Sequence, residues 1–281
     1  MAQGGGPGGP GPGRAPLAGR RIVVTRARVQ AGELARALKA LGAAVVDAPA
    51  IRIEPLADLE PLRRALSRLA DYRWTVFTSQ NSVHVVFESL PDWGLSPGLF
   101  AKTRLAAIGP ATADALTARG GRVEVLPDGF VAESLVAAIA SRGDLRGARV
   151  LVPRAEAARD ALPAGLRALG AVVDVIPVYR TVGALGEGDG SALAAEILAG
   201  RIDLVTFTSS STVHHFVEAV GAGAARSGLF GAAVIGPITA ATARSYGMPV
   251  KIEAAEFTAA GLVDALVAYF RREPESGRRE P

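Results

Sequence analysis

The sequence Ile108-Gly109-Pro110-Ala111-Thr112 occurs a second time, with one change, as Ile235-Gly236-Pro237-Ile238-Thr239. Each copy follows a short apolar run and precedes an alanine-rich stretch with helical spacing. This order predicts a buried strand, a tight glycine turn and a helix with proline in its first turn, where the missing N–H has no intrahelical partner anyway. Each turn is therefore expected at the carboxyl end of a strand, where open α/β sheets bind ligands.

The sequence around these turns is duplicated as well. Residues 21–27 resemble 149–155, residues 75–79 resemble 205–209, and Phe130 and Phe257 are 127 residues apart, like the two turns. Short apolar strands alternate with helical stretches in both copies, which predicts parallel sheets covered by helices. A repeat of about 125 residues suits one five-stranded flavodoxin-like layer per copy. The repeat alone would divide the chain near Arg146.

Two extended segments interrupt the alternation of strands and helices. Pro49 to Pro55 and Ile176 to Thr181 are extended, flanked or interrupted by proline, which is typical of exposed edge strands. Glycine-rich residues 183–190 are expected to form a loop.

Composition excludes several classes of function. The 281 residues carry a formal charge of +4 and no cysteine, so disulfides and thiolate catalysis are excluded. Residues 1–18 are predicted to be a disordered Gly/Pro-rich tail without a secretory apolar segment. The C-terminal segment from Arg271 to Pro281 is also predicted to be disordered. We find no phosphate loop, no apolar run of about 18 residues and no basic stripe for nucleic acid. A cytoplasmic protein that binds neither membrane nor nucleic acid is expected.

Hydroxyl and arginine side chains follow several predicted strands. Thr78-Ser79 and Thr208-Ser209 suit either simple N-caps or helix N-termini that hold an anion. Arg26 and Arg154 follow the first strand of each copy and are either surface residues or bidentate ligands of carboxylates. The sequence leaves both pairs of alternatives open.

Tyr179 has no counterpart in the first copy. It either anchors its strand or, because a phenol with a pKa near 10 is protonated at neutral pH, gives a proton to a leaving hydroxyl. His84, His214 and His215 lack evident carboxylate partners, so packing or solvent-facing roles are expected rather than a metal site.

Residues 21–270 resemble the uroporphyrinogen-III synthase family. The matching segments, in order, are Val24-Thr25-Arg26, Phe77-Thr78-Ser79, Pro177-Val178-Tyr179-Arg180-Thr181, Phe207-Thr208-Ser209, Ile235 to Ala240 and Phe257 to Leu262. The resemblance implies two flavodoxin-like α/β domains joined by a two-stranded β connector, with the active-site cleft between them. On this chain, the domains would be residues 19–50 with 184–275, and residues 57–175. The connector strands would be 51–56 and 176–183.

The reaction that the resemblance implies needs no cofactor and no metal. Hydroxymethylbilane, a linear tetrapyrrole, loses its terminal hydroxyl and closes through a spiro intermediate to uroporphyrinogen III with the last ring inverted. Tyr179 and Thr239 are the implied catalytic residues. The substrate-binding residues that we expect are Arg26, Thr78, Ser79, Gly109, Thr112, Arg154, Thr208, Ser209 and Gly236, of which Thr112 could also serve only as a helix cap.

The expected partners are this small-molecule substrate and the preceding enzyme, hydroxymethylbilane synthase, and the chain is expected to act as a monomer. An alternative hypothesis is a hinged, two-domain protein that binds a small ligand without catalysis. A third hypothesis is a two-domain glycosyltransferase, which requires an acidic residue near the C-terminal end of the chain to contact a nucleotide. Glu253 and Glu256 are weak candidates for that residue.

Overall fold

The computed structural model describes residues 15–272, which form eleven strands and ten α-helices. The strands are β1 (Arg21–Val24), β2 (Ala44–Asp47), β3 (Ile51–Pro55), β4 (Trp74–Phe77), β5 (Arg104–Ala107), β6 (Val123–Val125), β7 (Arg149–Ala155), β8 (Val172–Gly183), β9 (Leu204–Phe207), β10 (Gly231–Val234) and β11 (Val250–Glu253). The helices are α1 (Arg28–Ala40), α2 (Glu60–Ser67), α3 (Gln80–Ser89), α4 (Pro110–Thr117), α5 (Ala132–Ala140), α6 (Ala161–Ala168), α7 (Glu187–Leu198), α8 (Ser210–Ala225), α9 (Pro237–Ser245) and α10 (Ala259–Arg272).

The described chain divides into two compact units. Unit 1 consists of residues 15–52 and 183–272, and unit 2 consists of residues 53–182. The chain passes from one unit to the other within β3 and again within β8.

Unit 1 contains a five-stranded parallel sheet in the order β11-β10-β9-β1-β2. Its strand β9 is buried along its whole length, as expected for a parallel strand covered by helices on both faces. Two hydroxyls fasten its centre, since Thr25 Oγ1 donates to the Thr206 carbonyl at 2.6 Å and Thr206 Oγ1 donates to the Val23 carbonyl at 3.0 Å. The predicted flavodoxin-like layer is confirmed in this unit.

Unit 2 contains the sheet β3-β8-β7-β4-β5-β6, in which the five strands from β8 to β6 are parallel. Strand β3 pairs with the second half of β8. The Leu56 N–H donates to the Val178 carbonyl and the Ala184 N–H to the Ala50 carbonyl, which is the pattern of an antiparallel pair. Large apolar clusters cover both faces of the parallel strands, one around Phe77 and Phe100 and the other around Trp74 and Leu166.

The predicted N-terminal tail and the structure differ at one boundary. Residues 15–18 form a turn, and Leu17 is fully buried against the core of unit 1, with its N–H bonded to the Leu41 carbonyl at 2.9 Å. Apolar burial of Leu17 therefore starts the folded unit before residue 19, and residues 1–14 lie outside the described part. Arg271 and Arg272, assigned to the C-terminal run, end α10, and the rest of that run also lies outside it.

The loop predicted at residues 183–190 is wrong in its second half. Helix α7 begins at Glu187 and contains Gly188 and Gly190. A Cβ at Gly190 would lie 2.4 Å from the carbonyl oxygen of Ala219 in α8. Gly190 is needed because α7 and α8 approach closely at this point. A glycine-rich segment therefore predicted a loop where the chain forms a helix.

Candidate functional site

The strand order of unit 1 places three predicted segments on adjacent strands. Arg26 follows β1, Thr208 and Ser209 follow β9, and Gly236 and Thr239 follow β10. Because β1, β9 and β10 are neighbours and parallel, these residues share one carboxyl edge. The order of the strands along the chain reverses between β1 and β9, which is where open α/β sheets bind ligands.

Unit 2 repeats this arrangement at its own carboxyl edge, where β7, β4 and β5 are adjacent. The strand order reverses between β7 and β4, so this edge also holds a switch point. The predicted residues at the ends of these strands are Arg154 on β7, Thr78 and Ser79 after β4, and Gly109 and Thr112 after β5.

Tyr179 lies on β8 beside that edge. Its side chain is 5% exposed, and its hydroxyl donates to Ser79 Oγ at 3.2 Å. Burial raises the pKa of Tyr179, while its hydrogen bonds with Ser79 and Asn81 act more weakly in the opposite direction. The phenol is therefore protonated at neutral pH and can serve as a proton donor.

Ser79 and Ser209 are N-caps, as the simpler of the two hypotheses held. Ser79 Oγ accepts the Asn81 N–H at 3.0 Å. Ser209 Oγ accepts the Thr212 N–H at 3.3 Å, and Thr212 returns a bond to the Ser209 N–H, which completes a capping box. Capping satisfies only part of each helix N-terminus, so the anion-binding hypothesis stays a prediction.

The two Gly-Pro-x-Thr turns have the predicted form. Gly109 and Gly236 are the N-cap residues of α4 and α9, both in extended backbone, and proline is the first helical residue of each helix. Thr112 and Thr239 are buried, at 5% and 4% exposure, three residues after the N-cap. The suggestion that Thr112 caps its helix is wrong. The N-cap residue of α4 is Gly109, which has no side chain that could bond the N–H groups of the helix.

The two predicted substrate-binding arginines, Arg26 and Arg154, differ in their surroundings. Arg26 is half-buried, and burial lowers its pKa while Glu33 raises it to a smaller extent. Arg154 donates to the carbonyls of Arg159 at 3.0 Å and Ala158 at 3.3 Å and to the carboxylate of Asp160 at 2.8 Å. In this structure Arg154 thus holds the loop after β7, and a bidentate bond to a ligand would have to replace some of these contacts.

Asn81 is a candidate site residue that the sequence analysis did not include. It lies in the first turn of α3 and its side chain bonds the Tyr179 phenol. The duplicated sequence gave no signal, since the corresponding residue of the second copy is Ser211.

Each histidine bonds a neighbouring side chain, and His215 has a carboxylate partner that the sequence did not make evident. His84 Nδ1 accepts from Arg119 at 2.6 Å, His214 bonds the Tyr246 hydroxyl at 2.8 Å, and His215 bonds Glu218 at 2.7 Å. Over residues 15–272, no group of three or more histidine, aspartate or glutamate side chains could hold a metal ion. In the same residues, no helix is long and apolar enough to cross a membrane.

Comparison with known proteins gives a consistent result. A family model described as "Uroporphyrinogen-III synthase HemD" matches residues 32–264. A uroporphyrinogen-III synthase of Synechococcus elongatus is 32% identical over 92% of this chain and 98% of its own length. A second uroporphyrinogen-III synthase, of Chlorobaculum parvum, is 28% identical over 83% of this chain and 92% of its own length.

Among solved structures, a mutant uroporphyrinogen III synthase of Thermus thermophilus has a similar fold. The TM-score is 0.63 at 19% identity, over 90% of this chain and 100% of the other. At this identity, the likeness supports the α/β architecture alone.

Proposed function

Because this chain belongs to the uroporphyrinogen-III synthase family, we propose that it converts hydroxymethylbilane into uroporphyrinogen III with inversion of the last ring. The observation that carries the proposal is the family match, which spans residues 32–264 and includes every predicted site residue except Arg26. The chain is accordingly a cyclising lyase of haem biosynthesis. The alternative of a hinged binding protein without catalysis is not favoured.

The first chemical step is loss of the terminal hydroxyl. Tyr179 gives its proton to that hydroxyl, so that the carbon–oxygen bond breaks, water leaves with the bonding electrons, and a cationic azafulvene remains. The raised pKa of Tyr179 supports this role, because the phenol keeps its proton at neutral pH. Its hydrogen bond to Ser79 orients the ring before substrate arrives.

The later steps form and break carbon–carbon bonds within the substrate. The azafulvene carbon is attacked by the substituted carbon of the far pyrrole to give the spiro intermediate, which fragments and recloses with that ring inverted. The proton released when the new ring regains aromaticity returns to the Tyr179 phenolate. The protein's main contribution to these steps is to hold the chain in the folded geometry that favours this path over direct closure.

The acetate and propionate groups of the substrate are bound at the carboxyl edges. The N-termini of α3, α4, α8 and α9 present N–H groups there, and Arg26 adds a positive charge. Thr239, in the first turn of α9, contributes its hydroxyl to substrate orientation. These groups explain how a polyanionic substrate is bound with few charged side chains.

The decisive experiment supplies freshly prepared hydroxymethylbilane to the purified protein. The products are oxidised to porphyrins and the type I and type III isomers are separated. A type III fraction well above that of an enzyme-free control is expected, because the free bilane closes to the symmetric type I isomer. A type III fraction equal to that of the control refutes the proposed function.

The chain is further proposed to act as a cytoplasmic monomer without a cofactor and to receive its substrate from hydroxymethylbilane synthase. The spontaneous closure of the bilane supports a close transfer, since free substrate is lost to the type I product. Size-exclusion chromatography with light scattering tests the monomeric state, and the same measurement with that synthase present tests whether the two enzymes associate.

A further inference from the structure

Two phenylalanines at equivalent positions of the duplicated sequence lie against the glycines of the two Gly-Pro-x-Thr turns. A Cβ added at Gly236 would be 2.9 Å from Phe257 Cδ1 and 3.1 Å from its Cε1. A Cβ added at Gly109 would be 3.7 Å from Phe130 Cδ1. Each ring therefore packs over the backbone of its turn, and the contact is closer for Phe257.

The Phe257 ring is accessible although its backbone is firmly held. It lies between β11 and α10, at the carboxyl edge of unit 1, and is 40% exposed. On one side, the Ala254 N–H bonds the Val234 carbonyl at 3.0 Å; on the other, Thr258 Oγ1 accepts the Gly261 N–H at 2.9 Å. An exposed aromatic ring on a fixed backbone costs little entropy when it binds a ligand.

We propose that Phe257 is a substrate-contacting residue whose ring face packs on a pyrrole ring of the bilane, and that Phe130 has the same role at the edge of unit 2. This inference rests on the proposed function. The turn beneath each ring offers N–H groups to a carboxylate, while the phenyl ring offers an apolar face. A pyrrole that carries acetate and propionate side chains has both features, so one ring of the substrate matches one turn with its phenylalanine.

The two turns are not equivalent for this purpose. Gly236 leaves no room for a methyl group under Phe257, so Gly236→Ala must displace the ring. The backbone of Gly236 is extended, and alanine adopts this conformation without strain, so the displaced ring is the expected effect of the substitution. Gly236→Ala is therefore expected to weaken substrate binding through the position of Phe257.

The test compares steady-state kinetics of Phe257→Ala, Phe257→Leu and Phe257→Tyr. We expect KM for hydroxymethylbilane to rise about three- to tenfold in the alanine and leucine variants, the range of an aromatic stacking contact, with a smaller change in kcat. The tyrosine variant keeps the ring and should stay within about twofold of the parent protein. Leu229→Ala, which truncates another exposed apolar side chain at 38% exposure, is the matched control and should leave KM unchanged.

A KM for Phe257→Ala within twofold of the parent protein, or an equal rise in Leu229→Ala, overturns the inference. Thermal unfolding of each variant separates a folding defect from a binding defect, and Phe257→Leu retains apolar cover over Gly236. Calorimetric titration with uroporphyrin III gives a second measure of affinity without turnover. If the parent protein itself yields no excess of the type III isomer, it is the proposed function that fails; an active parent with unaffected Phe257 variants removes only the role of this ring.

Discussion

The phenol of Tyr179 combines burial with a hydrogen-bonded proton, which is what a general acid at this edge requires. Tyr179→Phe removes the proton and keeps the ring. We expect kcat for type III formation to fall by about 10²- to 10⁴-fold, the usual contribution of a general acid. The lost hydrogen bond to Ser79 should cost only about 1 kcal/mol of unfolding free energy. Turnover and urea unfolding measure the two effects separately.

Tyr72→Phe is the matched control for this prediction. The Tyr72 hydroxyl donates to Asp174 at 2.5 Å near the opposite, amino edge of the same sheet. Its loss should lower stability and leave the chemistry intact. Equal activity of Tyr179→Phe and the parent protein would remove the proposed acid role.

His84 makes the stability of the fold depend on pH. Its Nδ1 accepts a hydrogen bond from Arg119, so this nitrogen must be unprotonated. Burial, and to a smaller extent Arg119, lower the pKa of His84, while Glu88 raises it slightly. The neutral form is favoured by folding, so the stabilising effect is present above the unfolded pKa of about 6.5 and is lost as pH falls below it.

Urea unfolding at pH 7.5 and pH 5.5 checks this expectation. His84→Asn keeps a hydrogen-bond acceptor near Arg119 and does not titrate in that range. The parent protein should lose more stability between the two pH values than this variant. An equal loss in both would assign the pH dependence to other groups.

At the level of elements, the packing of α7 against α8 depends on one glycine. A Cβ at Gly190 would lie 2.4 Å from the Ala219 carbonyl oxygen and 3.2 Å from the Ala219 side chain. Because backbone must move to relieve this contact, Gly190→Ala should lower the free energy of unfolding by about 1–3 kcal/mol. Thermal and urea unfolding measure the change.

Gly188→Ala in the same helix is the control. A Cβ at Gly188 meets no atom within 4 Å, so helix propensity alone should apply and raise stability by as much as about 1 kcal/mol. If both alanine variants were stabilised, the close approach of α7 and α8 would not explain the glycine at position 190.

The element level also shows where sequence patterns succeed. The apolar run before each Gly-Pro-x-Thr turn is a buried strand and the alanine-rich stretch after it is a helix, as these local patterns predict. Helix α7 was missed because glycine for close packing and glycine for a loop look alike in the sequence.

At the level of the whole molecule, the two repeats of the sequence are not the two units of the fold. Unit 1 combines β1 and β2 of the first repeat with β9, β10 and β11 of the second. Unit 2 combines β4, β5 and β6 of the first repeat with β7 and β8 of the second. The repeats have exchanged their halves, so a cut at the repeat boundary near Arg146 divides both sheets.

This exchange predicts different behaviour of two fragments of nearly equal length. Residues 53–182 contain all five parallel strands of unit 2 and the apolar clusters on both faces, so this fragment should fold cooperatively by itself. Residues 19–146, the first sequence repeat, lack the central strand β7 and its neighbour β8. Circular dichroism and urea unfolding should show a cooperative transition for the first fragment alone.

Cooperative unfolding of the 19–146 fragment, or an unfolded 53–182 fragment, would contradict the exchange of halves. The domain boundaries at residues 19–50 with 184–275 and at 57–175, which the family resemblance implies, remain a prediction that limited proteolysis can test.

Local residue patterns and their order are enough to predict the strands and most helices, the duplication, the turns at strand ends and the family. The tertiary structure adds that Arg154 holds its own loop and that Phe257 covers Gly236. It also brought Tyr179 to Ser79, which is 100 residues away along the chain. Such pairings depend on which apolar faces pack together, and neither helical spacing nor strand alternation encodes that choice.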